Sequence, residues 1–182
     1  MKELSLNILD IAENSAKANA TFIEIGITEA EDTLVLTIAD DGCGMSAETV
    51  ESVINPFFTT RTTRKVGLGI PLLKLAAEQT GGELDIKSKM ASDTDAEHGT
   101  VVRALFYKNH VDCTPLGDVA QTLITLIQGH PDIDFVFVHK KGDKSVALDT
   151  RELRVVLEDV PLHTYEVIMW IKDNLEEQYQ SF

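Results

Sequence analysis

Cysteine is scarce in this sequence, and long apolar runs are absent from it. Its two cysteines, Cys43 and Cys113, form no CxxC pair and no Cys/His cluster, so neither a disulfide scaffold nor a structural zinc site is expected. No apolar run approaches the length of about 20 residues that a membrane-spanning helix needs, and the N-terminus lacks a basic and then apolar signal. These absences predict a soluble, cytoplasmic protein without a membrane span.

Basic residues are also few. The 182-residue chain has 16 Lys and Arg against 30 Asp and Glu, which gives a formal net charge of −14. Because it contains no run or stripe of Lys and Arg, a nucleic-acid-binding surface is not expected. Hydrophobic residues make up 43% of the chain, which is enough for a packed core, so the length predicts one domain or one core with an appendage.

The pattern of residues 1–108 predicts helices mixed with about four strands, mostly antiparallel. Apolar residues at helical spacing indicate a helix from Leu4 to about Ala18. The other predicted elements are strands 21–28 and 33–39 as a hairpin, a short helix capped by Ser46 and running to Ile54, a mobile loop over 55–69, a helix over 71–80, and strands 83–88 and 100–107.

Residues 109–182 change in character and predict a small α/β extension. The predicted elements are an amphipathic helix over 116–128, a hairpin of strands 133–140 and 144–148, a helix capped by Asp149 and running to Glu158, and a last helix over about 164–179. The sequence therefore divides into a domain over 1–108 and a C-terminal extension over 109–182 whose role it does not name.

One face of the first helix carries Asp10, Glu13, Asn14 and Lys17. An amide oxygen is a good hard ligand for Mg²⁺, and a carboxylate one turn earlier can orient or deprotonate a water molecule. Taken alone, such a face is more often an ordinary solvated surface. It becomes informative only together with the motifs that follow it.

Two glycine-containing segments add to this face. The turn Asp40–Gly44 directly follows a strand, and its carboxylates can accept a hydrogen bond from an exocyclic amino group while its glycines allow a flat ring to approach the backbone. Gly67 and Gly69 come just before a helix, whose first N–H groups and positive dipole end favour phosphate. Each signal alone is weak, since Asp-Gly turns and GxG triplets are common.

The order of these motifs resembles the Bergerat-fold (GHKL) ATPase superfamily. Asp10–Ser15 resembles its N box, Asp40–Gly44 its first glycine box, Asn55–Thr60 its phenylalanine box, Gly67–Gly69 its second glycine box, and Gly99 with Thr100 its closing box. The resemblance implies the α+β class: a two-layer α/β sandwich with a mixed, mostly antiparallel sheet and helices on one face. It also implies ATP and Mg²⁺ as ligands.

The resemblance implies a role for each matching residue. Asn14 would bind Mg²⁺, and Lys17 would contact phosphate. Asp40 would accept a hydrogen bond from the adenine amino group, assisted by a water that Thr100 holds. The other implied nucleotide contacts are Gly42, Gly44 and Met45 at the base, Phe58, Thr59, Thr60, Arg61 and Lys65 in a lid, and Gly67, Leu68, Gly69 and Ile70 at the phosphates.

Asp10 occupies the position at which gyrase-like and mismatch-repair relatives place a catalytic glutamate. Aspartate is one methylene shorter, and Glu13 lies about 60° away around the helix, so both remain candidates for the catalytic base.

Three functions are compatible with this site. The segment 56–88 is most similar to the catalytic domain of sensor histidine kinases, but the N box begins so early that no helix pair with a phosphoacceptor histidine is expected before it. A kinase domain acting in trans on a partner protein is the first hypothesis. An ATPase that drives a conformational change is the second, and a nucleotide-sensing module that binds a partner through 109–182 is the third.

The last predicted helix bears an apolar stripe that includes Val167, Ile168, Trp170, Ile171 and Leu175. Such a stripe either packs on the protein's own core or meets a second protomer. Core packing is the favoured interpretation, and a homodimer is the alternative.

Overall fold

The computed structural model describes residues 3–54, 68–92 and 98–182. The helices in these ranges are α1 (Leu4–Lys17), α2 (Ala47–Ile54), α3 (Gly69–Gln79), α4 (Val119–Gly129), α5 (Thr150–Leu157) and α6 (Tyr165–Gln180). The strands are β1 (Phe22–Glu29), β2 (Thr33–Asp40), β3 (Glu83–Lys89), β4 (Gly99–Tyr107), β5 (Asp134–Lys141) and β6 (Lys144–Asp149).

The strands form one open, mixed sheet in the order β3-β4-β2-β1-β5-β6. Neighbouring strands are antiparallel except β1 and β5, which run parallel. The predicted α+β sandwich with a mixed, mostly antiparallel sheet is therefore confirmed.

Buried and more exposed side chains alternate along the central strands, and this alternation explains how the sheet packs. Ile23, Ile25 and Ile27 of β1 are at most 1% exposed, whereas Glu24 and Thr28 between and beside them are exposed. Successive side chains of a strand point to opposite faces, so one face of the sheet joins the buried faces of the helices in a single hydrophobic core.

Residues 109–182 extend this sheet and contribute to the same core. Phe135 and Phe137 of β5 are fully buried, and β5 pairs with β1 along its whole length. On α6, four of the five stripe residues are buried, which agrees with the favoured core-packing interpretation: Val167, Ile168, Ile171 and Leu175. The fifth, Trp170, is 53% exposed and does not pack into the core. The division of the chain at 108/109 stays a prediction.

Two helices begin at different residues from those predicted. Helix α3 starts at Gly69 and includes Pro71 in its first turn, where proline is tolerated because its missing N–H would have no partner in the helix. Helix α4 starts at Val119, because Asp118 caps it by accepting a hydrogen bond from the Gln121 N–H at 2.8 Å. Gly117, at φ +77°, cannot continue that helix towards its N-terminus.

No helix in the described ranges combines the length and apolarity needed to cross a lipid bilayer.

Candidate functional site

Asp40 is held in a fixed orientation at the end of β2. Its Oδ2 accepts a hydrogen bond from the Ser15 hydroxyl at 2.6 Å, and its Oδ1 accepts one from the Gly42 N–H at 2.9 Å. Ser15 lies on the buried side of α1 and is 4% exposed. A carboxylate oxygen has more than one lone pair, so Asp40 keeps capacity to accept a further hydrogen bond from a ligand.

The next residue, Asp41, is used differently. Its Oδ1 accepts hydrogen bonds from the backbone N–H groups of Thr21 and Phe22 at 2.7 and 2.9 Å, and its Oδ2 accepts one from the Thr21 hydroxyl at 2.6 Å. Burial raises the pKa of Asp41, but these hydrogen bonds together outweigh burial and leave its pKa lowered. Asp41 therefore fastens the start of β1, while Asp40 is the carboxylate available to a ligand.

The two glycines of the turn Asp40–Gly44, called the Asp40 turn below, are required by close backbone contacts. Gly44 has φ +67°, and a Cβ there would lie 1.9 Å from the Lys89 carbonyl oxygen. A Cβ on Gly42 would lie 3.0 Å from the Ala18 carbonyl oxygen. A side chain at Gly44 would push the turn away from Lys89, whereas one at Gly42 would require its neighbours to shift by a few tenths of an ångström.

A hydroxyl pair connects the Asp40 turn to the outer strands. Thr100 is the register partner of Asp40 on β4, and its Oγ1 lies 2.8 Å from the Ser88 hydroxyl on β3. The Ser88 Oγ also accepts a hydrogen bond from the Met45 N–H at 2.8 Å and donates one to the Gly99 carbonyl at 3.0 Å. The predicted residues Asp40, Met45 and Thr100 are thus brought together.

Asp10 meets the start of α3. A Cβ added to Gly69, the first residue of α3, would lie only 2.1 Å from Asp10 Oδ2. The Asp10 carboxylate is thus in close contact with the first residue of α3. The first N–H groups of an α-helix have no acceptor within the helix.

Glu13, the other candidate base, faces a different element. Its Oε1 lies 2.9 Å from Nε2 of His130, which directly follows α4. The structure therefore separates the two carboxylates: Asp10 contacts α3, and Glu13 contacts the C-terminal part of the chain.

Asn14 lies one turn after Asp10 on α1 and is half-buried, and Lys17 at the end of that helix is exposed. Among the described residues, no group of three or more His, Cys, Asp and Glu could hold a metal by itself. Mg²⁺ is commonly held by one or two protein oxygens together with substrate phosphates, so a single amide such as that of Asn14 would fit this ion if phosphates were bound beside it.

Within the described residues, no side chain caps the start of α3. Its N-cap residue, Leu68, is 59% exposed and makes no capping hydrogen bond, while Ile70 is 7% exposed with its side chain in the core. Only the backbone of Ile70 can therefore face a ligand. The predicted contacts Phe58, Thr59, Thr60, Arg61, Lys65 and Gly67 lie outside the described residues.

Three residues that contact the Asp40 turn were assigned no site role from the sequence: Ser15, Ser88 and His98. Helical periodicity places Ser15 on the buried face of α1, and a buried hydroxyl needs a partner, so that signal was present. The contacts of Ser88 and His98 with the Asp40 turn carry no local signal, because their partners there, Met45 and Gly42, are 43 and 56 residues away in the sequence.

The sequence comparisons agree with this arrangement. Residues 1–109 match the profile of the family described as "Histidine kinase-, DNA gyrase B-, and HSP90-like ATPase". A "Putative sensor protein" of Shewanella frigidimarina is 29% identical over 107 residues, which are 58% of this chain and 15% of the relative. The "Sensor histidine kinase CpxA" of Escherichia coli is 32% identical over 78 residues, which are 40% of this chain and 17% of the relative. The chain thus spans less than a fifth of the length of these relatives.

The fold is similar to two solved structures with TM-scores above 0.5. The Aquifex aeolicus MutL ATPase domain complexed with ADP aligns with a TM-score of 0.53 and 16% identity, over 99% of this chain and 70% of that one. The N-terminal domain of a DNA repair protein aligns with the same score and identity, over 82% of this chain and 53% of that one. By its motifs, its fold and the profile match, the chain belongs to the histidine kinase-, DNA gyrase B- and HSP90-like ATPase family.

Proposed function

We propose that this chain binds ATP with Mg²⁺ in the space bounded by α1, the Asp40 turn and the start of α3. The observation that carries the proposal is the fixed Asp40 carboxylate, which Ser15 and Gly42 hold at 2.6 and 2.9 Å. At the other end of the same space, the Asp10 carboxylate contacts Gly69. The base end of this space thus offers a fixed hydrogen-bond acceptor, and the other end offers the first N–H groups of α3, which favour phosphate.

At the base end, Asp40 would accept a hydrogen bond from the adenine amino group. Thr100 lies opposite Asp40 in the β2–β4 ladder and would hold a water that bridges to the ring. Gly42, Gly44 and the Met45 backbone would form the wall against which the flat ring lies.

At the phosphate end, a chain with a net charge of −14 needs local compensation to hold a polyanion. Asn14 would bind Mg²⁺, Lys17 would add a positive charge, and the uncapped start of α3 would present N–H groups. The metal ion would neutralise charge on the phosphates when bound.

We propose further that the chain transfers the terminal phosphoryl group to a partner protein in trans. The similarity to proteins named as sensors and as a sensor histidine kinase supports this choice. Hydrolysis of ATP is the second candidate, which the contact between Asp10 and Gly69 favours, because a carboxylate at that position can activate a water.

Nucleotide binding is tested with the adjacent pair Asp40→Asn and Asp41→Asn by calorimetric titration of ATP with Mg²⁺. We expect Asp40→Asn to weaken binding by about ten- to a hundredfold, because that is the contribution of a hydrogen bond to a charged group. Asp41→Asn should lower the melting temperature but leave the affinity of the folded protein unchanged, because Asp41 only fastens β1. Equal affinity in Asp40→Asn and the parent would contradict the proposal.

The reaction is tested with γ-labelled ATP, with and without candidate acceptor proteins. Label on an added protein supports transfer in trans, whereas steady release of labelled phosphate without an acceptor supports hydrolysis. Binding without either product would overturn both catalytic proposals.

A further inference from the structure

We infer that His98 is a positioning residue for the nucleotide base, acting through the carbonyl group of Gly42. This inference rests on the proposed nucleotide site and concerns a residue outside the motifs that identify the family. Nδ1 of His98 lies 2.7 Å from the Gly42 carbonyl oxygen. A carbonyl oxygen only accepts hydrogen bonds, so Nδ1 must carry the proton and donate it.

This hydrogen bond completes the fixing of the peptide group between Gly42 and Cys43 in the Asp40 turn. The Gly42 N–H donates to Asp40 Oδ1, and the Gly42 carbonyl accepts from His98. In the next residue, the Cys43 N–H donates to the Ala18 carbonyl and the Cys43 carbonyl accepts from the Ala91 N–H, both at 2.9 Å. The peptide plane between Gly42 and Cys43 is thereby held on both sides, by His98 at its carbonyl and by Ala18 at its N–H.

The His98 contact is the one of these that holds a carbonyl of the turn through a side chain. It can therefore be removed by substitution without altering the backbone of the turn or the Asp40 carboxylate. Without His98, the Gly42–Cys43 peptide keeps only the bond from its N–H to Ala18. Gly42 has no side chain to restrict its rotation, so its carbonyl is then held less firmly. A turn that must be ordered on binding holds its ligand more weakly than one that is already ordered.

The location of His98 links it to the base and not to the phosphates. It directly precedes Gly99, where β4 begins, and Thr100 two residues later is the register partner of Asp40. His98 itself is exposed, so it contributes little to the hydrophobic core. Loss of its ring is thus expected to change nucleotide affinity more than stability.

The test compares His98→Ala, His98→Asn and His98→Gln by calorimetric titration of ADP, with the melting temperature measured in parallel. The amide nitrogen of asparagine can occupy the place of Nδ1, whereas that of glutamine reaches one bond further. We expect His98→Ala and His98→Gln to lose about three- to tenfold in affinity, which is the range of one hydrogen bond, and His98→Asn to retain most of it. Melting temperatures should stay close to that of the parent.

His110→Ala is the matched control, because His110 contacts Asp112 and not the Asp40 turn. A long-range proton–nitrogen NMR spectrum of the parent should show a proton on Nδ1 of His98. Absence of ADP binding by the parent would defeat the proposed nucleotide site itself. If the parent binds ADP, then equal affinity in His98→Ala, equal affinities in the asparagine and glutamine variants, or a proton on Nε2 alone would overturn the role of His98.

Discussion

The Ser15 hydroxyl donates a hydrogen bond to Asp40 Oδ2 across 2.6 Å and so joins helix α1 to the end of β2. The Ile11 carbonyl is a more distant acceptor for the same hydroxyl, at 3.3 Å, so the single hydroxyl proton is directed to Asp40. The residue proposed to hold the base is therefore oriented by the same helix that carries the proposed metal ligand, Asn14.

This contact predicts that Ser15→Ala weakens ATP binding by about tenfold, because the hydrogen bond to a charged carboxylate that fixes its orientation is lost. Calorimetric titration measures the effect. Ser181→Ala is a suitable control, since the Ser181 hydroxyl only donates to the Gln178 carbonyl at the end of α6. An unchanged affinity in Ser15→Ala would show that Asp40 does not need this partner.

Local sequence patterns predicted most of the elements but not how the two ends of the chain meet. Period-two alternation in β1 and β2 predicted the hairpin, since each strand buries one face. The parallel pairing of β5 with β1 joins segments that are more than 100 residues apart, and no local pattern specifies such a pair. The first residues of α3 and α4, Gly69 and Val119, differ from the predicted ones. Helix α3 begins earlier because proline is tolerated in a first turn, and α4 begins later because Asp118 caps it.

The candidate site was predictable to a similar extent. Motif order predicted Asp10, Asn14 and Asp40 as site residues, and the sequence left the choice between Asp10 and Glu13 open. That choice depends on His130, which reaches Glu13 only through the packing of α4 against α1. Tertiary contacts of this kind have no counterpart in the spacing of residues along the chain.

Gly69→Ala is predicted to impair phosphate chemistry without unfolding the protein. Alanine favours a helix over glycine by about 1 kcal/mol, so α3 should not be destabilised by the backbone change. The new Cβ would lie 2.1 Å from Asp10 Oδ2, however, so the carboxylate must move away from the start of α3. We expect lower turnover of ATP at an unchanged or higher melting temperature. Gly129→Ala on α4 is the control, because no atom lies within 4 Å of its added Cβ.

His139 is predicted to make stability depend on pH. It is 1% exposed, its Nε2 lies 3.1 Å from Glu29, and its Nδ1 lies 3.1 Å from the Tyr179 hydroxyl. Burial lowers the pKa of His139 below its ordinary value of 6.5 and outweighs the opposing effect of Glu29, while Lys141 lowers the pKa further. The unfolded chain therefore binds a proton more readily than the folded one, and the free energy of unfolding should fall as pH drops through and below 6.5.

Urea unfolding at several pH values between about 7.5 and 5.5 measures this dependence, since histidine titrates in that range. Glutamine does not titrate, so in His139→Gln the free energy of unfolding should depend less on pH. His163→Gln, at an exposed histidine, should keep the parental dependence. A parental slope in His139→Gln would assign the pH dependence to other groups.

The two candidate bases are predicted to differ in their effect on ATP turnover. Asp10→Asn should abolish release of phosphate, because the carboxylate that contacts Gly69 loses its charge and can no longer take a proton from water. Glu13→Gln should leave release close to the parental rate, because the Glu13 carboxylate is engaged by His130 at 2.9 Å and faces α4. Both variants are compared with the parent by steady-state phosphate release at saturating ATP. The reverse result, with Glu13→Gln inactive and Asp10→Asn active, would mean that the contact with His130 opens when nucleotide binds and that Glu13 is the base.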